Sequence, residues 1–201
     1  MLNYKTIKTP SNEVLYKDKG SKFFGYAFPI ETDTEVKAAL AALKQKHSCA
    51  GHFCYAYQRG IETTYYRTSD DGEPTKSAGL PIYGQLQAFG ITNTLIVIVR
   101  YFGGTKLGVG GLISAYKRTA KLSLENSKII CLDVLVTFKI SFAYQNLSQV
   151  MRVIKKNRLI LKSQRLEMEC EVLILVKKNK LESTKIAFDA FHKIKVEILN
   201  D

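Results

Sequence analysis

Leu95-Ile96-Val97-Ile98-Val99-Arg100-Tyr101-Phe102-Gly103-Gly104-Thr105-Lys106-Leu107-Gly108-Val109-Gly110-Gly111-Leu112 is the stretch that decides how this chain folds. Its first five residues are an unbroken aliphatic run, the pattern of a strand buried on both faces. Five glycines then fall within the twelve residues from Arg100 to Gly111. Glycine tolerates positive φ and lets a second backbone or a ligand come close. Beyond them, Leu112 to Lys121 spaces its apolar residues helically. The stretch therefore reads as a buried strand, a glycine turn and a helix start. A helix N-terminus presents unpaired N–H groups that suit an anion, so the turn can serve a phosphate or a neighbouring protein loop.

Upstream, Tyr4 to Ile30 reads as strands, with Val14-Leu15-Tyr16 and Phe23 to Phe28 flanking the turn signal Lys19-Gly20. Thr32 or Thr34 caps a helix carrying Val36, Leu40 and Leu43 and ending near His47. A second hairpin joins Phe53–Tyr57 to Thr63–Tyr66 through Arg59-Gly60, and Asp70-Asp71-Gly72-Glu73-Pro74 breaks the pattern. Ser77 to Phe89 has mixed helical spacing, in which Pro81 must sit in a first turn or cause a break. Downstream, Val134–Phe142 is a strand and Gln145–Asn157 an amphipathic helix. Leu159–Leu166 and Met168–Val176 are strands, Leu181–Phe191 is a helix and Val196–Leu199 a last strand. That order, β-α-β-β-α-β, is the ferredoxin-like plan. The fold class is α+β in two domains, residues 1–132 and 133–201, meeting near Leu132-Asp133.

The chain has 201 residues, 46% of them hydrophobic and 24% charged, ordinary for a globular protein able to bury a core. No apolar run approaches the roughly 20 residues that span a bilayer, and the N-terminal residues lack a secretory apolar segment. A cytoplasmic location without membrane attachment is expected. Net charge is +12: residues 1–132 hold 17 basic and 10 acidic side chains, residues 133–201 hold 13 and 8. Both halves are basic, which favours a polyanionic partner such as RNA. A merely well-solvated surface gives the same balance. Cys49, Cys54, Cys131 and Cys170 form no paired framework, so reduced thiols are expected.

Four motifs carry the functional reading. In a Walker A loop a lysine and a hydroxyl residue directly follow the last glycine. Here Gly103 and Gly108 are followed by Val109-Gly110, and a dinucleotide fingerprint begun at Gly108 fails at Ile113. A generic phosphate nest with Lys106 as point charge stays open beside a tight, loop-packing turn. The acidic turn Ser69 to Thr75 lacks EF-hand spacing; its carboxylates either cap backbone turns or meet Lys106 or Arg100 across a cleft. His47-Ser48-Cys49-Ala50-Gly51-His52-Phe53-Cys54 fits no common zinc spacing, and His52 and Cys54 share one strand face without pointing at each other. Tyr55, Tyr57, Tyr65 and Tyr66, with Tyr101 and Phe102 further on, beside Arg59, Arg67 and Arg100 are compatible with a stacking platform for single-stranded RNA, although their alternation turns one set to the core.

Four blocks in order resemble the YigZ/IMPACT family: Ser21-Lys22-Phe23-Phe24-Gly25, His52 to Tyr57, Ser69 to Pro74, and Arg100 to Leu112. They cover most of residues 15–120. The resemblance implies a first domain like domain four of elongation factor G and a second like that factor's domain five. The eukaryotic branch regulates translation by competing for an activator of a starvation-sensing kinase, using an extra N-terminal RWD domain. No such segment is expected before Met1-Leu2-Asn3, so that partner is not carried over.

The leading expectation is a non-enzymatic regulator of translation that binds RNA or a ribosome-associated surface. Arg100, Gly103, Gly104, Lys106, Gly108, Gly110, Gly111, Lys117 and Arg118 would meet phosphate, and His52, Ser69, Asp70, Asp71 and Glu73 would brace the cleft. No catalytic residue, cofactor or metal is assigned. The rivals are a small-ligand or magnesium-phosphate-binding enzyme of unknown reaction using the cleft between residues 69–74 and 100–111, and a protein-interaction module with a specific protein partner. No oligomeric state is assigned.

Overall fold

The computed structural model describes residues 1–191 and 193–199. The chain divides into two compact units, Tyr4–Leu132 and Met1–Asn3 with Asp133–Asp201. His192, Asn200 and Asp201, which fall in the expected second domain, lie outside the described residues. Among the described residues no helix is long and apolar enough to cross a membrane.

The first unit is built on a five-stranded antiparallel sheet. Its strands are β2 (Val14–Asp18), β3 (Ser21–Pro29), β4 (His52–Arg59), β5 (Tyr65–Ser69) and β6 (Thr94–Tyr101), in the order β2-β3-β6-β4-β5. β6 is central, and seven of its eight residues are buried, which is why it reads as an unbroken aliphatic run. Period-two alternation deals its side chains to opposite faces. Ile96, Ile98 and Arg100 face α2 (Gly79–Phe89) and α3 (Gly108–Glu125). Leu95, Val97, Val99 and Tyr101 face α1 (Asp33–Lys46). A fully buried Phe, Leu or Ile side chain contributes about 1.5–3 kcal/mol, and both faces are filled with them.

Local chemistry sets the ends of these elements. Thr32 caps α1 by accepting from the Glu35 N–H while the Glu35 carboxylate accepts from the Thr32 N–H, a reciprocal capping box. Pro81 sits in the first turn of α2, where its missing N–H costs nothing. Two differences from the sequence reading concern β pairing. β5 begins at Tyr65, later than Thr63, because Gly60 (φ +91°) is pinned in a longer turn by the side chains of Asn93 and Thr92. A strand unforeseen in the sequence, β7 (Ile129–Asp133), pairs with β1 (Asn3–Ile7) in a two-stranded ribbon.

The second unit runs β8 (Leu135–Ala143), α4 (Leu147–Lys156), β9 (Ile160–Arg165), β10 (Glu169–Lys177), α5 (Leu181–Asp189) and β11 (Ile194–Leu199). Its antiparallel sheet has the order β11-β8-β10-β9. Phe138, Ile140, Val172 and Ile174 meet Val150, Val153, Ile154 and Phe188 from the two helices in a separate core.

Candidate functional site

One rung of the first sheet gathers the sequence blocks singled out above. Phe23 of β3, Arg100 of β6 and His52 of β4 lie side by side across three adjacent strands. Arg100 is 5% exposed. Its Nη1 donates to Glu73 Oε1 at 2.7 Å and its Nη2 to Ser21 Oγ at 3.3 Å, while its plane lies 5.5 Å over the Phe23 ring and 5.7 Å from Phe102. Its Nε has no partner among the described residues. Glu73 is buried too, and the same Oε1 accepts a 2.7 Å bond from the Tyr116 hydroxyl of α3. Ser21 Oγ also accepts from the Gly103 N–H at 3.2 Å. A charge pair so deeply buried needs this kind of saturation, since stripping water from two ions costs several kcal/mol each.

The acidic turn is held by its own carboxylates. Asp70 Oδ1 accepts from the Ala78 and Gly79 N–H groups at 2.9 and 2.8 Å, and Oδ2 from Lys76 N–H at 2.8 Å. Ala78 has no side-chain cap to offer, so Asp70 satisfies the start of α2 from eight residues away. Asp71 Oδ2 accepts from Phe53 N–H at 2.6 Å, and Ser69 Oγ accepts from Asp71 N–H at 3.3 Å. His52 Nδ1 lies 2.8 Å from the Asp71 carbonyl, which can only accept, so Nδ1 carries the proton; Nε2 lies 4.0 Å from Glu73 Oε1. Cys54 lies beneath, its thiol 2.9 Å from the Asp70 carbonyl and 3.3 Å from the Tyr116 oxygen. Burial above all, with the nearby acidic groups adding to it, leaves this thiol with a strongly raised pKa, and burial raises that of Tyr116 further still. Neither ionises near neutral pH, so Cys54 is not poised as a thiolate nucleophile.

The glycine turn divides in two. Gly103 is pressed against the β2–β3 turn: a Cβ there would lie 1.9 Å from the Gly20 carbonyl carbon. Gly104, Gly108 and Gly110 have nothing within 4 Å of where a Cβ would stand, and Gly104 and Gly108 hold φ of +84° and +73°. α3 opens at Gly108 without a side-chain cap, and Gly111 lies in its first turn beside Leu107. Lys106, Lys117 and Arg118 are exposed. Arg100 therefore stands apart from the other basic residues of the expected phosphate set, with its charge committed to Glu73. Tyr116, Ser21 and Cys54 belong to the network although their spacing in the sequence assigns them no place in it. Ser21 is visible as the head of a family-like block, but Tyr116 looks like one more apolar position of a helix.

On the other face of the sheet His47 is buried at the end of α1. Its Nε2 lies 2.6 Å from Tyr26 Oη and its Nδ1 3.0 Å from Tyr101 Oη. Tyr26 donates to Glu13, so it accepts from His47 Nε2–H, and Tyr101 then donates to Nδ1. Desolvation and Lys46 lower the His47 pKa, keeping the imidazole neutral. Nearby, Tyr55 and Tyr57 stack in parallel at 6.4 Å, and Tyr65 and Tyr66 are each 51% exposed.

The family model of the Impact N-terminal domain matches residues 19–124, more than half of the chain, and this protein belongs to the IMPACT family. The IMPACT family member YvyE of Bacillus subtilis is 29% identical over 160 residues, 80% of this chain and 73% of YvyE. A Haemophilus influenzae IMPACT family member is 30% identical over 181 residues, 87% of this chain and 86% of its own. A crystal structure of a hypothetical protein superposes with a TM-score of 0.79 at 22% identity, covering 100% of this chain and 99% of that one, and so shares the fold. The two-domain translational regulator Yih1 matches 59% of this chain and 46% of its own at 24% identity and a TM-score of 0.40, too distant a likeness to argue from.

Proposed function

We propose that this protein is a non-enzymatic regulator of translation that binds RNA or a ribosome-associated surface in the cytoplasm. Membership of the IMPACT family supports the regulatory part of the reading. The binding part is carried by one observation: the outer half of the glycine turn is open backbone around the exposed Lys106 at the start of α3, and the exposed Lys117 and Arg118 follow two to three turns further along that helix. Gly104, Gly108 and Gly110 leave room for a phosphate to approach the uncapped N-terminus of α3, where N–H groups and the helix dipole favour an anion. Lys106, Lys117 and Arg118 are exposed and, among the described residues, in no ion pair. His52, Ser69, Asp70, Asp71, Glu73 and Arg100 form the frame that fixes this turn, and Gly103 fastens it to β3.

The same reading takes residues 1–132 as a domain akin to domain four of elongation factor G. Residues 133–201 become a ferredoxin-like domain akin to domain five. Binding to a fluorescein-labelled RNA hairpin, followed by anisotropy across a potassium chloride series, tests the proposal. Affinity should fall steeply with salt, and Lys106→Gln with Lys117→Gln and Arg118→Gln should flatten the slope by roughly 0.9 for each phosphate no longer neutralised. Absence of binding, or binding indifferent to salt, would overturn it.

A further inference from the structure

We infer that the second unit carries an RNA-backbone-binding ridge of its own, formed by Arg152, Lys155, Lys156, Arg158 and Lys162. This inference rests on the RNA-binding reading above and adds to it a site in another part of the chain. The first observation is charge. Residues 134–166 contain seven basic side chains and not one aspartate or glutamate. Two of the seven are answered electrostatically: Lys139 pairs with Glu171 at 2.7 Å, and Arg165 lies opposite the same carboxylate across the β9–β10 ladder. The other five are exposed and, among the described residues, enter no ion pair.

The second observation is that the fold puts three of the five on one stripe of α4 and the other two on the turn and strand that directly follow it. Val150, Val153 and Ile154 bury one stripe of α4 in the core, which fixes the rotation of the helix. Arg152, Lys155 and Lys156 occupy the outward stripe with Ser148 and Gln149, all exposed. Lys162 follows on β9 at a β-bulge, the residue skipped between the Leu161–Ile174 and Ser163–Leu173 pairs. A bulge re-aims a side chain and is a common feature of edge strands, which β9 is.

The third observation is a strained cation. Arg158 has φ +51°, directly after the end of α4, at the left-handed position where glycine is the ordinary choice. The turn is closed by Leu159 N–H donating to the Ile154 carbonyl and Arg158 N–H to that of Lys155. Lys19, Lys76 and Lys193 hold the same backbone region, so what distinguishes Arg158 is its place beside Lys155 and Lys156, where a phosphate contact would offset the conformational cost. The helix C-terminal dipole accounts for some preference for Lys155 and Lys156, but not for Arg152, Arg158 or Lys162. The apolar stripe of α4 is spent in the core, so the ridge cannot insert into a lipid surface as an amphipathic helix does. No aromatic residue falls between Ser148 and Lys162 to serve as the anchor that dominates protein–protein interfaces. Cations with neither anions nor aromatics among them fit a phosphodiester backbone read without regard to sequence.

Four charges are removed together in the full chain (Arg152→Gln, Lys155→Gln, Lys156→Gln, Arg158→Gln). A control loses as many from the first unit (Lys5→Gln, Lys8→Gln, Lys17→Gln, Lys37→Gln). Against the labelled RNA hairpin, the ridge variant should lose roughly 10²-fold or more in affinity at moderate salt and flatten the slope by about 3, the control far less. Arg158→Gly alone should raise the melting temperature while weakening RNA binding, a combination that a purely structural arginine would not give. Equal losses in ridge variant and control would overturn the inference and leave the RNA reading standing. So would an undiminished ridge variant when the Lys106, Lys117 and Arg118 substitutions do weaken binding. Binding to phosphatidylserine vesicles in preference to the hairpin would overturn it as well. No binding of RNA by the unaltered protein would overturn both readings.

Discussion

Arg100 and Tyr101 are neighbours on one strand, and they anchor opposite solutions to the same problem. Each carries polar atoms into a largely apolar face of the five-stranded sheet. On the α2 and α3 face the answer is ionic: Arg100 meets Glu73, whose oxygen is shared with Tyr116, and Ser21 and two aromatic rings lie against the guanidinium, whose Nε alone has no partner among the described residues. On the α1 face the answer is neutral: Tyr101, His47 and Tyr26 pass hydrogen bonds along to a carboxylate, Glu13, that stays at the surface beside Lys46. The ionic arrangement is the more brittle, because removing one member strands a full charge. In the neutral one, removing a partner strands only a dipole. The brittle face is the one that adjoins the glycine turn.

The largest effect expected from this contrast is that of Glu73→Ala. It should destabilise the protein by about 3–5 kcal/mol in urea unfolding, since Arg100 is left buried and uncompensated. Glu73→Leu combined with Arg100→Met should recover most of that stability; a single variant costing less than about 1 kcal/mol would show the pair to be hydrated. Gly103→Ala comes next at about 2–3 kcal/mol, because its methyl group would collide with backbone of the β2–β3 turn. Gly104→Ala meets free space and should cost only about 1 kcal/mol for its positive φ. Equal costs at the two positions would deny that the turn has a fastened end and a free end.

On the neutral face, Tyr26→Phe should cost about 1–2 kcal/mol, well below the Glu73 variant. The smallest effect concerns pH. His47 has its pKa lowered from 6.5, so just below that pH the unfolded chain binds more protons than the folded one. Its stabilising contribution is therefore complete above about pH 6.5 and is lost as pH falls through the lower, folded value. Melting temperatures taken downward from pH 7.5 should decline, and His47→Gln should remove that part of the slope. A slope unchanged in the variant would locate the titration elsewhere.

Much of this architecture is legible in the residues. The aliphatic run of β6, the Thr32 cap and the turn at Lys19-Gly20 are local signals, and the structure keeps them where local chemistry puts them. The four family-like blocks also announce which loops belong together. What stays hidden is non-local. The residues leave Arg100 open to two roles, phosphate ligand or partner of the acidic turn, because a sequence does not display the burial that commits it to Glu73, 27 residues earlier. Tyr116 shows no sign of its partner, since helical spacing marks a position as inward-facing without saying what it will touch. The ribbon of β1 with β7 joins segments far apart in the chain, and neither carries a turn signal that names the other.

The capping of α2 by Asp70 has a consequence in time. A helix capped by its own adjacent residue can order its first turn alone, whereas this one waits until the 70–74 turn has closed over it. Opening that turn and fraying the helix start are then a single event. The amide hydrogens of Ala78 and Gly79 should exchange with solvent together with that of Phe53, which Asp71 holds from the same turn.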